Sequence, residues 1–349
     1  MGIRRDKEKI SLRAKILRRE SMKETVKTKG MKEISLKDME GIKIGHSEDK
    51  EGATGCTVAL FEKGAVAGVE VRGGAPGTRE TDLLKSENLV DTVHGILLSG
   101  GSAYGLDAAA GVMAYLEERN IGFDVGVGKV PIVPGAVLFD LPLGSPKVRP
   151  DKAMGYAATK NAEKNGGKAL SEGTVGAGTG ATVGKILGTE YAMKGGIGTY
   201  ALEVAGLQVG AVVAVNAFGD VLEGGEILAG VYDRENRVFL RTEGVMVRGM
   251  YEKPFNGNTT IGILFTNGKF TKAQMNKIAS MAHNGYARGI YPSHTMVDGD
   301  TVFAAATGQV EADPSLVGHL GGLAMERAIH RGIKAATSLH GVPAHKDLK

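Results

Sequence analysis

The sequence predicts a layered α/β fold in which sheets pack against each other and helices cover them. Apolar β-type segments come in runs, with helical segments inserted between the runs rather than in regular βαβ alternation. The chain of 349 residues also holds 53 glycines, with aromatics at only 5% and no tryptophan. That much glycine favours tight turns and close backbone approaches over long regular helices. A hydrophobic content of 42% beside 23% charged residues is that of a globular protein.

The elements follow in order. Residues 1–33 hold twelve Lys/Arg against five Asp/Glu. Ile10, Leu12, Ile16 and Leu17 give them only a weak helical stripe, so they read as a basic tail ahead of a single domain, 34–349. A short strand is expected at 41–46, then strands at 54–61 and 65–71 before a glycine-rich loop at 72–77. The apolar run 93–98 ends in Ser99-Gly100-Gly101-Ser102, and a small-residue helix follows over 102–118. A second helix, 151–165, stops at Gly166-Gly167. From 190 to 222 the pattern turns to β, and a further strand pair is expected at 237–248. Residues 260–266 read as a strand, 271–288 as an amphipathic helix, 302–307 as a strand and 315–333 as a closing helix.

Several function classes are disfavoured at once. The net charge is +4, but the tail carries +7 of it and the body −3, which is a poor basis for binding nucleic acid. No apolar run reaches membrane-spanning length, and the first residues lack the apolar core of a secretory signal, so a cytoplasmic protein with no membrane partner is expected. The lone Cys56 allows no intrachain disulfide and reads as a small core residue rather than a nucleophile. The eight histidines show no His-Glu-x-x-His spacing, and no metal is expected. Gly176-Ala177-Gly178-Thr179-Gly180-Ala181 satisfies G-x-G-x-x-A. However, glycine and threonine continue to Gly184, a strand-rich region follows, and no acid stands out about 20 residues on. It reads as a loop lining a site, and no cofactor is expected.

The informative stretch runs from Asn256-Gly257-Asn258-Thr259-Thr260 into Ile261-Gly262-Ile263-Leu264-Phe265. A polar, glycine-containing turn leads directly into an apolar strand, and the junction residue carries a hydroxyl. A threonine oxygen held against the preceding carbonyl can take over the acyl group by an N-to-O shift, after which hydrolysis cuts the chain. The freed α-amine has an ordinary pKa of about 7.7–8.0, close enough to neutral to serve as base for its own hydroxyl. Three companions raise the interest of this junction. Lys194 sits among Gly195, Gly196 and Gly198. Asn216 ends an apolar strand with an amide suited to holding an oxyanion. Asp298 and Asp300 are two residues apart before another strand, and alternation would turn both to one face.

Together these segments resemble the DmpA-type aminopeptidase family, which includes the nylon-oligomer hydrolases of the NylC type. The resemblance extends from Gly41-Ile42-Lys43-Ile44-Gly45-His46 through Leu98-Ser99-Gly100-Gly101-Ser102 to Asp298-Gly299-Asp300-Thr301. It implies a four-layer α-β-β-α sandwich and a self-cleaving N-terminal-nucleophile amide hydrolase, cut between Asn258 and Thr259. The products would be an α chain, 34–258 with the tail, and a β chain, 259–349. Thr259 matches the nucleophile, Lys194 a positioning and polarising cation, Asn216 the oxyanion amide, and Asp298 and Asp300 the acidic pair that orients the nucleophile. Tyr104 is the candidate for a tyrosine near the oxyanion. The implied substrates are small peptides, amides or 6-aminohexanoate oligomers, with no cofactor or metal, in a homo-oligomer that is tetrameric by resemblance. Two alternatives stand beside this reading: ornithine acetyltransferase-like acyl transfer, and a non-catalytic binding protein on the same fold. The long basic tail departs from the family pattern.

Overall fold

The computed structural model describes residues 30–164, 170–249 and 257–348. Most of the basic tail, the Gly166-Gly167 stop and Asn256 lie outside the described residues. Ten strands form one continuous sheet: β1 (Met31–Ile34), β2 (Lys43–Asp49), β3 (Thr54–Val71), β4 (Thr78–Arg79), β5 (Thr92–Ser99), β6 (Gly135–Val137), β7 (Gly196–Val204), β8 (Leu207–Asn216), β9 (Thr259–Gly268) and β10 (Thr301–Val310). Their order is β1-β7-β8-β9-β10-β3-β5-β6-β4, with β2 paired to β3. The helices are α1 (Ala108–Glu117), α2 (Lys152–Lys164), α3 (Thr242–Val247), α4 (Lys272–Ala282), α5 (Asn284–Gly289) and α6 (Pro314–Ala335).

Strand β3 turns this sheet into two layers. Its first part, 54–60, pairs with β2 and β5, and its last part, 66–71, pairs with β10. The ladder to β5 shifts register between Leu60 and Ala65, where a bend suits a sheet that must fold onto itself. The expected strands at 54–61 and 65–71 are therefore one strand.

Side-chain alternation then sorts residues into three apolar layers. Between the half-sheets lie Ala59, Phe61, Ile96 and Leu98 from one side and Val212, Ala214, Ile261, Ile263, Phe265, Phe303 and Ala305 from the other. Their neighbours along the strands face outward. Cys56, Val58, Leu60 and Leu97 meet Ala108, Val112 and Leu116 of α1 and Ala158 and Ala162 of α2. On the other side Ala211, Val213, Val215, Leu264, Val302 and Ala304 meet Met275 and Ile278 of α4 and Ala324, Ala328 and Ile329 of α6. The result is the expected four-layer α-β-β-α sandwich.

Local chemistry explains the helix limits. Thr271 and Gln274 form a capping box at the start of α4. Asp313 accepts from Leu316 N at 2.8 Å ahead of Pro314 at the start of α6. The expected helix 102–118 begins as a 3₁₀ segment, Ser102–Asp107, before α1. The expected helix 271–288 is divided into α4 and α5 around His283. At 237–248 the structure differs from the expected strand pair. Only Val238–Phe239 is strand, because buried Asp220 accepts from Thr242 N at 2.6 Å and Thr242 Oγ1 at 2.8 Å and so starts α3.

Helices α1 and α2 touch through glycines. A Cβ on Gly155 would lie 1.9 Å from the carbonyl oxygen of Ala108, and one on Gly111 1.9 Å from that of Lys152. Gly155→Val should therefore force the two helices apart and destabilise the fold by about 1–3 kcal/mol, read as a lowered urea midpoint.

Candidate active site

The site is built where β8 ends and β9 begins. These strands are antiparallel, and their last pair sets Asn216 opposite Thr259. Thr259 is 4% exposed. Its hydroxyl lies against the carbonyl oxygen of Asn258, within its own chain. That same oxygen accepts Gly299 N–H at 2.9 Å. The carbonyl oxygen before the threonine thus has both the Gly299 N–H and the Thr259 hydroxyl against it. Gly299 is needed for this closeness, since a Cβ there would lie 2.6 Å from Thr259 Oγ1.

Asn216 is fixed from every side. Its Oδ1 accepts from Thr182 N at 3.0 Å and Lys185 Nζ at 2.8 Å. This orients Nδ2 toward the carbonyl oxygens of Phe139, at 3.1 Å, and Gly257, at 3.4 Å. Lys185 Nζ also reaches Asn216 O and Gly257 O, both at 3.1 Å. Two donors, an amide and an ammonium, therefore converge on one carbonyl oxygen, that of Gly257, two residues before Thr259.

Asp298 and Asp300 flank the junction. Asp298 accepts from Phe218 N at 3.2 Å, Thr295 N at 2.9 Å and Thr295 Oγ1 at 2.5 Å. Burial, then the neighbouring Asp300 charge, pushes its carboxyl up to about 6. Asp300 accepts from Thr260 N at 2.7 Å through one oxygen and from His294 through the other. Asp300 thus bonds the peptide that follows the threonine, Asp298 ties the 295 turn to Phe218, and Gly299 between them is the residue that approaches the hydroxyl.

The other two expected residues lie differently. Lys194 is fully buried, but its ammonium bonds Thr179 O at 2.8 Å and Ala181 O at 2.6 Å. It ties down the glycine-rich loop whose next residue, Thr182, holds Asn216. Tyr104 is 61% exposed, with the Arg149 guanidinium 4.0 Å above its ring. It does not line the cleft at Thr259, which measures about 320 Å³ and is formed by residues including Pro76, Ser102, Phe139, Asn258 and Val297. The aromatic beside the site is Phe139, against whose ring Gly257 packs. Cys56 is buried, and burial pushes its thiol far above the ordinary range. It is a core residue.

Lys185 is the residue that sequence reasoning missed. It stands between Gly184 and Ile186 with no neighbouring signal. Only its position, a strongly apolar stretch that would have to bury a cation, could have drawn attention to it. Burial lowers Lys185 to about 7, although Asp298 and Asp140 pull the other way. Burial likewise lowers Lys194 to about 7, against the pull of Asp140.

A buried hydroxyl opens a sheet strand on the four-layer α-β-β-α frame, with amide and ammonium donors close by, and the class of protein is that of the amide-bond hydrolases. The chain belongs to peptidase family S58, whose model matches residues 35–346. It is 40% identical over 346 residues to an uncharacterised aminopeptidase of Mycobacterium tuberculosis, covering 90% of this chain and 97% of the relative. It is 34% identical over 284 residues to the 6-aminohexanoate-oligomer endohydrolase of Kocuria sp., covering 78% and 75%. The L-aminopeptidase D-Ala-esterase/amidase of Ochrobactrum anthropi, described as a variant of the Ntn hydrolase fold, superposes with a TM-score of 0.67 at 17% identity, covering 90% and 92%. A Burkholderia sp. β-aminopeptidase does so with a TM-score of 0.63 at 21% identity, again covering 90% and 92%.

The lowered lysines give a stability signature. Folded Lys194 loses its proton near pH 7, whereas in the unfolded chain it holds it to 10.5. Between these values the unfolded state binds more protons, so stability rises with pH. Asp140 and Asp298, raised from 3.8 to about 6, act in the separate window below pH 6, where stability falls as pH rises. Lys194→Met should make the rise between pH 7 and 10 shallower than in wild type, measured by denaturant unfolding at stepped pH.

Proposed function

We propose that this protein is a self-processing amide hydrolase that cuts its own chain between Asn258 and Thr259 and then uses Thr259 as its catalytic nucleophile. The observation that carries the reading is the Thr259 hydroxyl against the Asn258 carbonyl, with that oxygen held by Gly299 N–H at 2.9 Å. Attack of Oγ1 on the Asn258 carbonyl carbon forms a tetrahedral adduct whose oxyanion faces the Gly299 N–H. Collapse breaks the C–N bond, leaves an ester between Asn258 and Thr259, and frees the Thr259 α-amine. Water then cleaves the ester, giving the chains 34–258 (with the tail) and 259–349.

In turnover, the α-amine removes the proton from Oγ1, and Oγ1 attacks a substrate amide. Asn216 Nδ2 and Lys185 Nζ, the donors now engaged with Gly257 O, hold the oxyanion once that segment gives way. The amine product leaves, and water hydrolyses the ester. Asp300 fixes the backbone that follows Thr259, Asp298 braces the 295–299 turn that carries Gly299, and Lys194 acts through the 179–182 loop that orients Asn216.

The substrate we infer is a linear oligoamide or peptide with chain on both sides of the cut bond. Support comes from two cavities that share Phe139. One is the cleft at Thr259, and the other, about 240 Å³, has walls of Phe139, Leu143 and Val342 with Lys185 in its lining. The endohydrolase name of the Kocuria relative agrees with this direction. Among the described residues no helix is long and apolar enough to cross a membrane.

Thr259→Ala should remain one chain by denaturing intact mass and lose about 10³-fold or more of its amidase activity. Thr259→Ser should still divide. A single chain in wild type after prolonged incubation would end the reading. Asn216→Ala should lower kcat by about 10²–10³-fold. A linear oligoamide with an acetylated amino end should still be cut, with internal fragments seen by mass spectrometry. Activity confined to free amino ends would instead mark an exopeptidase.

A further inference from the structure

We propose that His294 is a positioning residue for the nucleophile, locking Asp300 so that Asp300 in turn holds the backbone of Thr259–Thr260. The inference rests on the reading of Thr259 as nucleophile.

The backbone ladder needs such a support here. Strands β9 and β10 run parallel, and their pairing begins at Ile261 with Thr301. The same parallel register reappears at the bridge between Asn258 and Asp298, where Gly299 N–H donates to Asn258 O, and the N–H of Thr260 falls in the gap between that bridge and the ladder. The carboxylate of Asp300 fills the gap, accepting the N–H at 2.7 Å. A side chain thus supplies the rung between them, and that rung is the peptide adjoining the threonine.

A carboxylate on a rotatable bond holds a rung only if its other oxygen is fixed. His294 fixes it twice: the backbone N–H donates to Oδ2 at 3.0 Å, and ring Nδ1–H donates to the same oxygen at 2.8 Å. Both donors reach one atom because His294 adopts a left-handed backbone, φ +58°. Such a conformation is strained for a residue with a Cβ and persists where the surroundings impose it.

The ring is also held from behind. It packs edge-on against His283, with centroids 4.8 Å apart, and lies 6.0 Å from the ring of Tyr286. His283 is anchored by Nε2 to Glu70 O at 2.9 Å. His294 Nε2 is buried and makes no hydrogen bond among the described residues, so the Asp300 contact is the ring's polar anchorage. With one nitrogen on Asp300 and the rings of His283 and Tyr286 packed around it, it sits as a wedge rather than as a solvated surface histidine.

The test uses three variants of the full chain. His294→Gly keeps the left-handed backbone without strain and removes the ring. His294→Asn tolerates the same backbone and returns an N–H near the place of Nδ1, whereas His294→Gln carries it one bond too far. The first readout is hydrogen exchange of the Thr260 amide in a Thr259→Ala background, which does not depend on cleavage. The Gly variant should exchange at least tenfold faster there, with α6 amides unchanged, and Asn should restore protection. The second readout is activity in the native background. Self-cleavage and kcat should fall about tenfold with Gly while KM stays within twofold, and Asn should recover most of the loss. If Gly fails to fold, Asn against Gln decides: Asn near wild type and Gln slow supports the proposal. Unchanged Thr260 exchange in the Gly variant, or Asn and Gln behaving alike, overturns it. If wild type neither cleaves nor hydrolyses, the Thr259 reading fails, and the exchange arm still decides the role of His294.

Discussion

The register between β8 and β9 is the constraint on which the site depends. Asn216 and Thr259 are opposite each other because Val209 to Val215 and Ile261 to Phe265 are buried on both faces. A slip of one residue would carry Ile261, Ile263 and Phe265 out of the inter-sheet layer and Leu264 into it. The apolar layers therefore hold the pairing of Asn216 with Thr259 to within a residue. The last rungs are then completed by side chains, with Asn216 at one edge of the junction and Asp300 at the other.

Around that junction the fold buries an unusual density of charge. Lys185, Lys194, Asp140, Asp298 and Asp300 are all nearly or fully enclosed. Burying an ion is costly unless hydrogen bonds replace its water. Here each has several such bonds, mostly to backbone groups of loops that would otherwise be free to move. Asp140 holds Gly101 N at 2.7 Å and Thr54 Oγ1 at 2.8 Å, joining the Ser-Gly-Gly-Ser turn to β3. Lys194 holds the loop at 179–181, and Asp298 joins 295 to 218. The charged groups thus act as ties between loops from distant parts of the chain, and the glycines let those loops come close. The loop 176–181 that mimics a dinucleotide fingerprint is an instance. Gly178 lies so near β7 that a Cβ would meet Ile197 N at 2.2 Å, and no helix opens behind it.

Much of this was legible from the residues. The runs of strands signalled layers, and the hydroxyl at the turn-to-strand junction signalled Thr259. Asn216 at a strand end and the Asp298–Asp300 pair drew attention as companions of that junction, and their expected roles came from the family resemblance. The division of labour between the lysines was not legible. Lys194 stands among glycines and looks like the cation of the site, yet its ammonium serves the 179–181 loop. Lys185, nine residues earlier, reaches Asn216 only because Met193–Lys194 pairs back on Thr182–Val183 and the intervening turn brings it round. Tyr104 likewise carries an inviting hydroxyl beside a glycine-rich turn, but the 3₁₀ start of α1 points it to solvent under Arg149.

What the sequence determined by itself is therefore the alternation that makes the layers, the caps that start α4 and α6, and the residue types at the junction, because these depend on neighbours within one strand or turn. What only the tertiary structure decided is which polar groups meet. The Gly299 N–H on the Asn258 carbonyl, Lys185 on Asn216, and His294 on Asp300 join segments through loop conformations and close approaches. Those distances are set by packing between layers, and no periodicity along the chain records them.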